Sequence, residues 1–127
     1  MFLEYSCYRN FKVYQMDAKY AFLNGNLEDE VYIEKPEGLL LSEKEDYVCK
    51  LKKALYGLKK SSRAWFSRLD SYLKQQWYKR GVPDSNIYIT FEDENMIIVV
   101  IYVDDIIFGS DLQMLSEKFS SEMKKEF

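Results

Sequence analysis

Three aspartates are the residues best suited to chemistry in this chain. Asp104 and Asp105 lie side by side at the centre of "MIIVVIYVDDIIFGS", its most hydrophobic segment, and Asp17 ends the segment "FKVYQMD". Burying an unpaired carboxylate is costly, and a second one beside it adds like-charge repulsion. The pair therefore sits at an exposed bend or faces something positive. A solvent-exposed β-turn is one account, because Asp tolerates turns. Two-residue hairpins, however, prefer Asn-Gly or Asp-Gly, and Asp-Asp serves them less well. The other account joins the pair to Asp17: if the strands adjoin, three carboxylates meet at one end of a sheet. Oxygen-only ligands of this kind suit Mg²⁺ or Mn²⁺. Two such ions about 3.5–4 Å apart serve in-line phosphoryl transfer. The residue pattern leaves both accounts open.

Composition narrows the chemistry. The chain has no histidine, which removes Ser–His–Asp and Cys–His catalysis and most zinc sites. Cys7 and Cys49 form no CxxC and no disulfide framework, which implies an intracellular, reducing location. The opening "MFLEYSCYRNF" is interrupted by Glu4 and Arg9 and lacks the apolar core of a secretion signal. The 96–108 run is too short and too acidic to span a bilayer, so no membrane is implied. At 127 residues the chain has the length of one domain. The aromatic content, 17% with eleven Tyr, places several rings at a surface that binds something or is normally covered. Net charge is −3, yet residues 49–80 carry ten Lys or Arg against one acid, Asp70. That asymmetry suggests a one-sided electrostatic surface, or simply a solvated helix face.

The elements that must position these residues follow from periodicity. Residues 3–9 look like the end of a helix. Phe11–Asp17 alternates as a strand, with Phe11, Val13, Gln15 and Asp17 on one face. "AFLNGN" reads as a helical turn stopped at Asn24-Gly25. "EVYIEKPEG" is a short strand closed by Pro36 and Gly38, and another strand lies near Tyr47–Leu51, followed by a turn at Gly57. Ser61 or Ser62 caps a helix running to about Tyr78, with Trp65, Leu69, Tyr72, Leu73 and Trp77 (or Gln76) along one stripe. "NIYITFED" and Met96–Val103 are strands joined by an acidic turn, and Ile106–Phe108 continues beyond the Asp pair. Asp111–Phe127 is a helix with Leu112, Leu115, Phe119 and Met123 on one side. This order predicts an α+β fold, an antiparallel sheet with helices packed on one face.

Three blocks, "QMDAKYAFLNGNLEDEVYIEKPEG", "VCKLKKALYGLKKSSRAWFSRLDSYL" and "IYVDDIIFGS", resemble in order and spacing the reverse transcriptases of copia-type LTR retrotransposons. The resemblance runs from about Phe11 to Gly109. It implies RNA-directed DNA synthesis on a polymerase palm-like sheet. Residues 1–127 would be a single partial reverse transcriptase domain of a Pol polyprotein, with a remnant of the fingers, no thumb and no RNase H. By match of motif, Asp17 is the first metal-binding carboxylate, Asp104 the second and Asp105 its neighbour, holding two Mg²⁺ or Mn²⁺ ions. Phe22, Tyr56, Gly57 and Tyr102 lie by the nucleotide. Phe22 excludes a 2′-hydroxyl, or else is a core aromatic. Lys59, Lys60 and Arg63 contact phosphates. The implied partners are an RNA or DNA template with primer, deoxynucleoside triphosphates and the remaining Pol regions, in a cytoplasmic retroelement particle. Two positions depart from the family pattern. Lys60-Ser61-Ser62 stands where the family reads Gln-Ala-Pro, and Tyr20 where Ser or Thr is usual. The chain alone is expected to bind nucleic acid weakly and not to extend a primer. The alternative is a degenerate or domesticated relic acting as a nucleic-acid-binding or interaction module.

Overall fold

The computed structural model describes residues 1–34, 38, 48–58 and 60–127. They form two compact units, one built from Met1–Ala21 and Leu69–Phe127, the other from Phe22–Arg68.

The first unit is organised by an antiparallel sheet of five strands. These are β1 (Lys12–Asp17), β4 (Lys79–Arg80), β5 (Ile87–Glu92), β6 (Asn95–Tyr102) and β7 (Asp105–Ser110), in the spatial order β1-β7-β6-β5-β4. The run of β-branched residues in β6 explains its central place, because a strand covered on both faces needs no polar alternation. Register separates the faces. Tyr14, Phe108, Val99 and Tyr88 lie in line on one face, and Gln15, Ile107, Val100 and Ile87 on the other.

The first of these faces carries the main core. Helix α3 (Gln113–Glu126) buries Leu115, Phe119 and Met123, and Phe119 meets Phe108 edge-on with centroids 4.8 Å apart. A buried Ser116 hydroxyl lies 3.0 Å from that of Ser110, which ties the helix to the last residue of β7. Helix α2 (Ser61–Gln75) contributes Leu69, Tyr72 and Leu73 to this unit, all buried. Side chains covered this fully are worth about 1.5–3 kcal/mol each. Asp70, on the same helix, accepts a hydrogen bond of 2.6 Å from the buried Tyr88 of β5 and pairs with Lys74 at 2.8 Å.

Helix α1 (Phe2–Tyr8) corrects the expectation that all helices share one face. Its Phe2 packs with Phe11, Met96, Ile98 and Ile89, which belong to the opposite side of the sheet. Asp111, expected to begin the last helix, instead accepts the Met96 N–H at 2.9 Å and pairs with Arg9 at 3.1 Å. The helix starts two residues later, and Leu112 becomes its exposed N-cap rather than part of the stripe.

The expected stripe of α2 also ends early. Trp77 is 85% exposed with φ +67, the left-handed residue just past the helix. The Tyr78 N–H donates to the Leu73 carbonyl at 3.0 Å and the Trp77 N–H to that of Lys74 at 3.1 Å, the paired bonds of a Schellman cap. The chain then enters the two-residue β4, which no periodicity announces.

The second unit holds a 3-10 turn reaching Asn24, a two-stranded sheet of β2 (Tyr32–Ile33) and β3 (Cys49–Lys50), and the first two turns of α2. Pro36 and Tyr47, expected at strand ends, lie outside the described residues. Gly57 has φ +88, which suits glycine in the turn before α2. Ser61 is the first helical residue, and its hydroxyl donates to the Leu55 carbonyl, closing that turn. Gly25 is required by proximity: a Cβ there would stand 2.7 Å from the Trp65 nitrogen and 2.8 Å from the Ala64 carbonyl carbon.

Candidate active site

The acidic residues converge through strand register. β1 and β7 are antiparallel neighbours, and their pairing sets Asp17 directly opposite Asp105. Paired residues project to the same face, so the two carboxylates issue side by side from the end of the sheet. Across the β6–β7 hairpin Asp105 pairs with Tyr102, which is 71% exposed. The turn is Val103-Asp104, not the Asp104-Asp105 expected, because Asp105 already belongs to the ladder. Val103 has φ +57. A β-branched side chain at positive φ is a strained outlier, and such strain clusters at functional sites. The Ala18 N–H donates to the Asp104 carbonyl at 3.2 Å, locking the turn against the end of β1. Asp104 is thus in a tight turn, with Asp17 and Asp105 paired beside it.

Alternation marks Gln15 only as a face-mate of Asp17, but the fold gives it a partner. Its amide donates to Asp105 Oδ1 at 3.1 Å, so one oxygen of that carboxylate is oriented from β1. Two residues before Asp17 on the same face, it occupies the diagonal position opposite Asp105. Asp17 is exposed, while Asp104 and Asp105 are half-buried. Among the described residues no three Asp, Glu, Cys or His side chains form a ready-made metal cluster. The donor chemistry nevertheless fits a hard divalent cation, since every candidate is a carboxylate oxygen within reach of solvent.

The remaining predicted residues belong to the second unit. Phe22 and Tyr56 are in ring contact, centroids 4.5 Å apart and tilted by 42°, next to the Gly57 turn. Lys60 is paired with Asp29, and Lys50 with Glu30. Hydrogen bonding to Lys60 holds the Asp29 carboxyl below its usual range, and Lys50, then Tyr32, do the same for Glu30. The sequence suggests Lys60 as a phosphate contact and does not single out these acids; their only signal is the acidic run "LEDE". Arg63 is exposed and lines a small cavity of about 110 Å³ with Asn26 and Asp29. Lys59 lies outside the described residues.

An α+β chain with acids gathered at one sheet end, and no histidine, thus carries the site. Its full length, residues 1–127, matches the family model described as reverse transcriptase (RNA-dependent DNA polymerase). The "Retrovirus-related Pol polyprotein from transposon TNT 1-94" of Nicotiana tabacum is 42% identical over 118 residues, 91% of this chain and 9% of that relative. The corresponding polyproteins of Arabidopsis thaliana transposons RE2 and RE1 are 38% and 36% identical, over 88% and 93% of this chain and 8% and 9% of their own lengths. No solved structure matches the chain at a significant level. The chain belongs to the reverse transcriptase family, in its copia-type retrotransposon branch. It spans less than a tenth of the length of these Pol polyproteins. Among the described residues no helix is long and apolar enough to cross a membrane.

Proposed function

We propose that this chain supplies the palm and part of the fingers of an RNA-directed DNA polymerase, with Asp17, Asp104 and Asp105 as its acidic centre. The reading rests on one observation above all: the Asp17–Asp105 pair beside the strained Val103-Asp104 turn. In this reading the five-stranded unit is the palm and residues 22–68 are the fingers portion. Asp17, Asp104 and Asp105 would hold two Mg²⁺ or Mn²⁺ ions. Bound there, such ions activate a primer 3′-hydroxyl and neutralise charge on the triphosphate. Gln15 restricts the rotation of Asp105, so that part of the positioning is done before substrate arrives. The hydrogen-bonded anchor at Ala18 keeps Asp104 at a constant height above β1. Tyr102 presents an exposed ring beside Asp105, suited to a sugar or base. Phe22, supported by the Tyr56 ring, would bar a ribose 2′-hydroxyl, while Lys59, Lys60 and Arg63 would hold phosphates without reading sequence. The substrates are then a primed RNA or DNA template and deoxynucleoside triphosphates. The setting is a cytoplasmic retroelement particle with the other Pol regions.

A second reading is favoured by the Lys60–Asp29 and Lys50–Glu30 pairs and by the lack of a ready-made three-acid cluster among the described residues. It makes the chain a relic that binds nucleic acid without copying it. Primer extension on poly(rA)–oligo(dT) with Mg²⁺ or Mn²⁺ decides, with these residues set in a complete Pol reverse transcriptase. Extension that falls to background in Asp17→Asn and in Asp104→Asn supports the polymerase. Extension absent from the start supports the relic, and extension unaffected by either change would remove Asp17 and Asp104 from the catalytic centre.

A further inference from the structure

Away from the acidic sheet end, a cavity of about 310 Å³ opens between the cap of α2, the end of β5 and α3. Its volume falls at the lower end of the range for ligand sites. Aromatic rings make much of its wall. Tyr78 and Phe119 are buried with centroids 5.8 Å apart, and Trp77 stands on the rim, 85% exposed. Trp77 is held there at a cost. A left-handed backbone is unfavourable for any L-residue by about 1–2 kcal/mol, and glycine is the usual occupant of this cap position. A side chain so exposed returns almost nothing to the core to offset that. The strain is thus borne by a ring presented to solvent.

The cavity is also anionic. Glu92 and Glu122 line it with a single lysine, Lys118. Lys118 pairs with Glu92 at 2.9 Å. Glu122 makes no ion pair with any described residue. Burial first, then the charge of Glu122, pushes the Tyr78 phenol well above its ordinary range, so the inner wall stays a neutral hydroxyl. Electron-rich ring faces with a spare carboxylate are complementary to a cation that carries little hydration. A guanidinium meets that description better than an ammonium: it is planar, stacks on aromatic faces and forks onto a carboxylate. The exposed ring of Trp77 extends beyond the pocket itself and would cover residues flanking the cation.

We propose that this cavity binds an arginine side chain presented by a segment of another protein, with Glu122 meeting the guanidinium and Trp77 stacking on it. The site is independent of the polymerase reading.

The tripeptide acetyl-Gly-Arg-Gly-amide tests this in the full chain. Its citrulline analogue is the neutral isostere, and agmatine is the free cation. Trp77 and Trp65 are the two tryptophans, and Trp65 is 1% exposed, so ligand quenching of fluorescence reports Trp77. The expected result is saturable, millimolar binding of the arginine tripeptide, with at least tenfold weaker binding of the citrulline form. Glu122→Gln should weaken binding up to about fivefold, the scale of one exposed charge contact. Lys118→Gln should strengthen it by releasing Glu92. Trp77→Phe, followed by the Tyr78 and Phe119 ring resonances in NMR, should retain weakened binding. Equal binding of arginine and citrulline peptides would overturn the proposal, as would no binding. Agmatine matching the tripeptide would overturn the assignment to a protein segment.

Discussion

Gln15 carries the orientation of Asp105, because its amide is the donor that reaches that carboxylate from β1. The contact is exposed, so Gln15→Leu should leave stability within about 0.5 kcal/mol of the parent. It should instead lower divalent-cation affinity at the acidic end, read by electron paramagnetic resonance of added Mn²⁺. Unchanged Mn²⁺ affinity would reduce Gln15 to an ordinary surface contact. Asp70 is a different case, since its partners hold α2 to β5. Burial pushes its carboxyl up, but hydrogen bonds from Lys74 and Tyr88 and the charges of Lys74 and Arg80 outweigh that and hold it below its usual value. A depressed folded value means the stabilisation is complete above the unfolded pKa, near 4, and disappears as pH falls through the folded pKa. Asp70→Asn should therefore cost about 1.5–3 kcal/mol at pH 7, the scale of a hydrogen bond to a charged group. Thermal melts should show that difference shrinking by about pH 3, below the ordinary carboxylate value.

At the scale of elements, two helix boundaries invite opposite substitutions. Trp77→Gly places the residue preferred by a left-handed cap and should raise stability by about 1 kcal/mol. The same change should abolish arginine-peptide binding, which distinguishes a retained functional ring from an accident of the cap. Gly25→Ala should do the reverse. Its methyl would collide with backbone atoms of α2 at Ala64 and Trp65, which have no room to rotate away. Overpacking of that kind costs about 1–3 kcal/mol. Denaturant unfolding followed by circular dichroism measures both, and a neutral Gly25→Ala would show that the start of α2 can shift aside.

Across the whole molecule, charge rather than packing governs any association with nucleic acid. The chain carries −3 overall, and three lysines of its basic run, Lys50, Lys60 and Lys74, already have internal acidic partners, Glu30, Asp29 and Asp70. A polyanion must displace those acids, so binding to a primer–template should be weak and fall steeply with salt. Lys60→Ala with Arg63→Ala should weaken binding equally for all sequences. It should also flatten the log–log salt dependence by about 0.9 for each duplex DNA phosphate that the protein no longer neutralises. Asp29→Asn with Glu30→Gln should strengthen binding by releasing Lys60 and Lys50. Fluorescence anisotropy at several salt concentrations checks both, and an unchanged slope would remove these residues from the interface.

What the sequence determined by itself was local. Alternation placed β1, continuous apolar and aromatic runs placed β5 and β6, the three- and four-residue spacing placed the buried side of α2 and α3, and Asn24-Gly25 marked the end of a turn. The types of the acidic residues, together with the missing histidine, already pointed to hard-cation chemistry. These signals are legible because each depends on neighbours within a turn or a strand. Tertiary structure decided the rest. Asp17 faces Asp105 because β1 pairs with β7 in one particular register, and a slip of one residue would send the acids to opposite faces. The β6–β7 pairing of Tyr102 with Asp105 put Val103 rather than Asp105 in the turn, and the β1–β7 register gave Gln15 its acceptor. Trp77 continued the apolar period yet left the core, because the cap closed one residue before it. Lys60 looked free until the fold brought Asp29 to it from thirty-one positions away. Partners of that kind are chosen by the path of the backbone through space, on which the spacing of residues along the chain is silent.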